Sequence, residues 1–190
     1  MVERGFAEPM FDAQRIFRVV LAAIAEPGRV LPLDPGCAPP GPIDPAAAAA
    51  VLALCDADTP LWLSPAMTVA GDFFRFHTGA PIAATAGDAL FVLATAAERP
   101  ALASLCAGTA DYPDRSATLI LAVQTIVSDD GWRLSGPGIA DTRSVLPQPI
   151  DDRFADEWRQ NHARFPLGID VVLTARGRIA GLPRSTRLEN

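Results

Sequence analysis

The 190-residue sequence contains no lysine, since all 16 of its cationic side chains are arginine. Without lysine there is no internal Schiff base to pyridoxal phosphate or to a carbonyl substrate, and no phosphate-loop lysine to reach a nucleotide. The 34 alanines, 14 glycines and 18 prolines beside it indicate a compositional bias, which explains the absence without undoing its chemical consequence. Histidine is nearly as scarce. A general base of near-neutral pKa must be His77, His162 or a perturbed carboxylate. The three cysteines, Cys37, Cys55 and Cys106, lie far apart without CxxC spacing, so neither a disulfide framework nor a zinc site is indicated and reduced thiols are expected. GxSxG is missing, which removes the usual serine-nucleophile signature. There is no apolar run of about 18 residues, and Met1–Phe6 do not combine a basic start with an apolar stretch. A cytoplasmic protein is expected.

What is present bounds the class. The length fits one domain, here taken as residues 1–190, with one sizeable core. A net charge of -6 opposes a general polyanion partner, because phosphate neutralisation needs a clustered basic surface. No nucleic-acid partner is expected.

Along the chain, Ile16, Phe17, Val20, Leu21 and Ile24 repeat at helical spacing. They predict an amphipathic helix over 12–25 with Asp12 as N-cap and Glu26-Pro27-Gly28 as the stop. Six prolines between Leu31 and Pro45 predict a surface loop. Asp44 and Pro45 then form the cap-and-first-position signature of a second helix. Thr59–Leu63 reads as a buried strand, Ser64-Pro65 as the start of a helix ending near His77, Ala89–Leu93 as a strand and Pro100–Cys106 as a short helix. Residues 117–127 and 132–135 read as two strands joined by a hairpin at Ser128-Asp129-Asp130-Gly131. A helix over 152–162 follows, then strands at 169–174 and 178–182 around Arg176-Gly177. Strands mixed with helices in this order predict an α/β sandwich with a mixed sheet.

Individual candidate sites have simple structural readings. Asp56-Ala57-Asp58-Thr59 resembles the paired aspartates of haloacid-dehalogenase-type phosphatases, but it follows a helix and has no lysine partner, so a polar loop is the better reading. Gly136-Pro137-Gly138 reads as a sharp turn leaving a strand, since Pro137 has no amide to offer a phosphate. His77 and His162 fall at helix ends, where a cation is favoured by the dipole. Asp170 opens an apolar strand and needs a partner such as a backbone amide, Arg164 or Arg184.

A set of motifs spread over most of the chain is similar to one family, the PhnH subunit of the bacterial carbon-phosphorus lyase system. They are Asp12-Ala13-Gln14 with Phe17-Arg18 and Glu26-Pro27-Gly28; Asp58-Thr59-Pro60 with Trp62-Leu63-Ser64; Arg75-Phe76-His77-Thr78 with Ala80-Pro81; Gly136-Pro137-Gly138-Ile139; Phe165–Asp170; and Pro183-Arg184 with Thr186. The resemblance implies a three-layer α/β/α fold related to pyridoxal-phosphate-dependent transferases but lacking the cofactor site. It implies no cofactor, a homodimer, and docking onto the other subunits of an assembly. Those subunits together replace the adenine of ATP with a phosphonate, giving ribose 1-phosphonate 5-triphosphate, before a separate radical subunit cleaves the carbon-phosphorus bond. No catalytic residue and no metal ligand carry over. The leading expectation is therefore an accessory subunit of the assembly. The alternative is a substrate-binding or catalytic subunit gripping triphosphate or phosphonate through Arg75 and His77, with Arg164 or Arg184 as further ligand-binding candidates. A third reading makes Arg75, His77 and Asp170 fixtures that hold element ends.

Overall fold

The computed structural model describes residues 3–189, apart from the side chain of Asp129. The elements run α1 (Pro9–Ala25), β1 (Leu31–Pro32), α2 (Pro45–Leu54), β2 (Leu61–Leu63), α3 (Gly71–Thr78), β3 (Phe91–Thr95), β4 (Thr118–Ala122), β5 (Thr125–Ser135), β6 (Arg143–Gln148), α4 (Arg153–Ala163), β7 (Asp170–Ala175), β8 (Arg178–Leu182) and β9 (Arg187–Glu189). They build a six-stranded sheet of order β1-β8-β7-β4-β3-β2 and a three-stranded sheet of order β6-β5-β9. In the large sheet β2, β3, β4 and β7 are parallel, while β8 pairs antiparallel with both β7 and β1. The sheet is mixed, as the sequence predicts.

The central strands are apolar on both sides because both faces are covered. Leu93, Ile120 and Val172 stand side by side in register and join the cluster under α1, α2 and α3. Their neighbours Leu119, Leu121, Val171 and Leu173 face the other way, toward Phe154 and Trp158 of α4 and Leu134 and Val145 of the smaller sheet. Ala46–Ala50 of α2 are fully buried, so this helix is covered all round by α1, α3 and the sheet. Asp44 starts it as predicted, accepting from the amides of Ala46 and Ala47 at 2.9 and 3.2 Å. Where α1 crosses β8, a Cβ on Gly181 would lie 2.5 Å from the Ala23 carbonyl oxygen, so only glycine allows this approach.

Several local expectations need correction. α1 begins at Pro9, one turn before the predicted start, so Asp12 is not its N-cap; its carboxylate reaches back to the Glu8 amide and pairs with Arg15. The Pro-rich loop yields a short edge strand, β1, at its first two residues. Ser64 donates its hydroxyl to Glu98 at 2.8 Å instead of capping, and a 3-10 segment, Pro65–Ala70, precedes α3. The helix expected at 100–106 is a single 3-10 turn, Leu102–Ser104.

The largest correction concerns 117–135. The apolar run divides at Val123-Gln124, where the chain leaves the large sheet, and β5 continues through Asp130-Gly131 without turning back. Val145 of β6 faces both Ser128 and Trp132, so the Asp-Gly pair sits in a bulge, with Gly131 at φ 90°. The real hairpin joins β5 to β6 through Gly136-Pro137-Gly138.

Candidate functional site

Asp170 opens β7 and Arg184 follows β8, so the antiparallel pairing of these strands brings both residues to one end of the sheet. The Asp170 carboxylate accepts from the Arg184 backbone amide at 2.8 Å, from Nε at 3.1 Å and from Nη2 at 2.5 Å. The same guanidinium donates to the Pro113 carbonyl at 2.7 Å and to the Ser116 hydroxyl. Of the partners the sequence allowed for Asp170, it uses a backbone amide and Arg184 and not Arg164, and this leaves the Arg184 guanidinium committed to the protein.

Other motif segments meet around this pair. Asn161 of α4 clasps Ile169 in both directions, donating to its carbonyl at 2.9 Å and accepting from its amide at 2.8 Å. The Trp158 indole donates to the Thr186 carbonyl at 3.1 Å. The turn at Gly136 lies against Ser185, and a Cβ on Gly138, at φ 82°, would run into the Ala25 carbonyl at the end of α1. Arg143 binds the carbonyls of Glu26 and Pro27 at 3.1 and 2.8 Å, fixing the predicted helix stop to the smaller sheet. Segments far apart in sequence thus form one tightly bonded junction.

Beside the junction is a cleft of about 430 Å³, with His162, Arg187, Ser135, Ser185 and Phe165 in its walls. Ser135 of β5 and Arg187 of β9 are directly paired across the strands. His162 Nδ1 lies 2.9 Å from the Arg184 carbonyl oxygen. A carbonyl only accepts, so Nδ1 carries the hydrogen and Nε2 is the ring nitrogen left for other partners. Sequence reasoning treated His162 as a helix-end residue and passed over Arg187, because the pairing of β9 with β5 has no local signal.

The other candidates are not gathered here. Arg75 is exposed on α3, pairs with Asp72 at 2.9 Å and lines a separate cleft of about 350 Å³. His77 bonds the Glu3 carbonyl at 3.0 Å and packs edge-on against Phe73 and Phe76. Arg164 lies exposed after α4, on a third, much smaller cleft with Glu157 and Asn161. Asp56 accepts from the Asp58 amide and the Thr59 hydroxyl, as a polar loop should. Burial pushes the Cys55 thiol up to about 12 and that of Cys37 to about 11, which makes both poor nucleophiles. Among the described residues no group of three or more His, Cys, Asp and Glu side chains is placed to hold a metal ion, and no helix is long and apolar enough to cross a membrane.

Arg99 gave no signal in the sequence. Its side chain is 1% exposed, donates to Asp151 and Glu157 at 2.7 Å each, and lies over the Phe154 ring at 5.1 Å. Burial alone would raise both carboxyl groups, but hydrogen bonds and charge from Arg99 outweigh it and hold them below their ordinary values. Asp151 also lines an open cavity of about 600 Å³ with Trp132, Gln124 and Gln148.

The fold and this junction define an α/β protein with a mixed sheet, whose characteristic motifs are knitted together by hydrogen bonds. The match to a family model over residues 4–189 places the chain in the bacterial phosphonate metabolism protein (PhnH) family. It is 41% identical over 188 residues to alpha-D-ribose 1-methylphosphonate 5-triphosphate synthase subunit PhnH of Rhizobium meliloti (strain 1021), covering 97% of this chain and 94% of that protein. It is also 30% identical over 175 residues to HtxG of Stutzerimonas stutzeri, provisionally named a C-P lyase subunit protein, covering 92% and 85% of the two chains.

Proposed function

We propose that the chain is an accessory subunit of a cytoplasmic ribose 1-phosphonate 5-triphosphate synthase assembly in phosphonate catabolism. It acts there as a homodimer that docks the other subunits, and ATP and a phosphonate are the substrates of the assembly. The names of its two relatives support membership of such a complex. The structural observation that carries the docking role is on α1. Met10, Phe17 and Leu21 recur at seven- and four-residue spacing on its outer side, with Phe11 beside them, and these four are between 48% and 74% exposed. The inner side of the same helix buries Ile16, Val20 and Ala23. A helix apolar on both sides is suited to covering by another protein. The two covered faces of the large sheet support reading the fold as a three-layer relative of pyridoxal-phosphate-dependent transferases, here without a cofactor.

Co-expression with the other subunits followed by size-exclusion chromatography tests the role. The chain is expected to co-elute with them, and a monomer that never does so overturns the proposal.

A second reading has Arg75 and His77 grip the triphosphate or phosphonate, favoured only by the cleft that Arg75 lines beside Trp62. Unchanged nucleotide and phosphonate binding in Arg75→Ala and His77→Ala would end it. The bonds these residues make to Asp72 and Glu3 support the fixture role instead.

A further inference from the structure

We infer that the cleft between α4 and β9 binds an organic oxyanion, a phosphonate or phosphate monoester, through Arg187, His162, Ser135 and Ser185. This goes beyond the docking role and stands without it.

The cleft has the required chemistry. Arg187 projects from a short edge strand and has no hydrogen-bond or ion-pair partner among the described residues, unlike Arg184, whose donors are taken by Asp170, Ser116 and Pro113. A free guanidinium offers parallel N–H donors that match two oxygens of a tetrahedral anion. Ser135 and Ser185 add hydroxyl donors. The His162 ring is fixed by its Nδ1 bond to Arg184, so Nε2 can accept from a protonated phosphoryl oxygen or, on the imidazolium, donate to an ionised one. Among the described residues no Asp or Glu lines this cleft, so no carboxylate of theirs in its wall repels an anion.

The walls also select against a bare inorganic ion. Phe165, 60% exposed, and Pro137 supply an apolar flank against which an organic substituent can lie. The adjoining cleft, which shares Phe165 and Ser185, contains Asp114, and its one guanidinium, Arg184, is already bound to Asp170, so no free cation there awaits a second anionic group. One oxyanion with an apolar substituent fits this arrangement best.

Isothermal titration of the purified full chain with phenylphosphonate, methylphosphonate, inorganic phosphate and ATP tests the inference. Phenylphosphonate is expected to saturate and to bind more tightly than inorganic phosphate. Arg187→Gln should weaken it at least about tenfold, the loss of one charge-assisted bidentate contact. His162→Gln should weaken it less. Arg178→Gln, an exposed arginine at the turn between β7 and β8, should leave it unchanged. ATP, with several anionic groups and a polar base, should not displace phenylphosphonate; displacement by ATP would overturn the fit to a single oxyanion with an apolar substituent. No saturable binding, or equal loss in Arg187→Gln and Arg178→Gln, overturns it. Because the isolated chain is used, failure here is distinguishable from failure to join an assembly.

Discussion

Arg184 and Asp170 are joined by three hydrogen bonds, one from the backbone amide and two from the guanidinium, across the paired ends of β7 and β8. Their side chains are only 13% and 24% exposed, so removing one leaves the other poorly solvated. Arg184→Ala is expected to lower the unfolding free energy by about 2–3 kcal/mol, less than a fully buried pair would lose because some solvent reaches it. Arg184→Lys should recover little, since one ammonium cannot replace a fork that also binds Pro113 and Ser116. Urea titration of the three proteins measures both effects.

Acid should weaken the fold through the Arg99 cluster. Asp151 and Glu157 have folded-state pKa values below the ordinary 3.8 and 4.5. Their contribution is therefore fully present above about pH 5 and is lost as pH falls through those ordinary values and then the lower folded ones. The urea midpoint should drop between about pH 5 and pH 3. The double variant Asp151→Asn with Glu157→Gln should start less stable and show a shallower drop. An equal drop in both proteins would mean that other carboxylates dominate.

The outer row of α1 should govern association and not folding. Phe17→Glu with Leu21→Glu alters side chains about half exposed, so the melting temperature should change by only a few degrees. Self-association and co-elution with partner subunits should fail in the same variant. Light scattering coupled to size exclusion reads this directly.

His77 should hold the segment before α1 in place. Its ring bonds the Glu3 carbonyl and packs so closely on Gly5 that a Cβ there would lie 2.6 Å from Nδ1. His77→Ala is expected to cost about 1 kcal/mol and to raise amide exchange over residues 3–8 with little change in the sheet. Hydrogen exchange with mass spectrometry provides the measurement.

Helices α1, α2 and α4 and the last hairpin were legible in the sequence because their signals are local. Asp44-Pro45 caps α2 as its spacing requires, and Arg176-Gly177 adopts positive φ values of 44° and 77° in the two-residue turn between β7 and β8. The same local reasoning misplaced the hairpin near Asp130-Gly131, because a glycine with positive φ serves a bulge as well as a turn. Only the partner strand distinguishes them. β9 and β1 were missed for a related reason: strands of three and two residues exist through pairing with β5 and β8, not through their own pattern.

The candidate residues divide in the same way. Asp170 needed a partner because a carboxylate opening a buried strand must be compensated, and that need was readable from the sequence. Which arginine answers it was decided by strand register, which brings Arg184 to Asp170 and leaves Arg164 on another surface. Arg99 carries no signal in the sequence, and it is folding that places it between two carboxylates and over Phe154.

The missing lysine is a property of composition, so it holds in any conformation, and it excludes a Schiff base to pyridoxal phosphate from the sequence alone. Likewise the order of helix and strand signals is enough to give an α/β class with a mixed sheet, since hydrophobic periodicity and capping act over a few residues. Tertiary structure decided which arginines spend their donors inside the protein and which keep them for a cleft. Arg99 and Arg184 spend their donors inside the protein, while Arg187 faces a cleft with His162. Charge and hydrogen-bonding capacity are written in the side chain, but their satisfaction depends on groups brought near by long-range pairing.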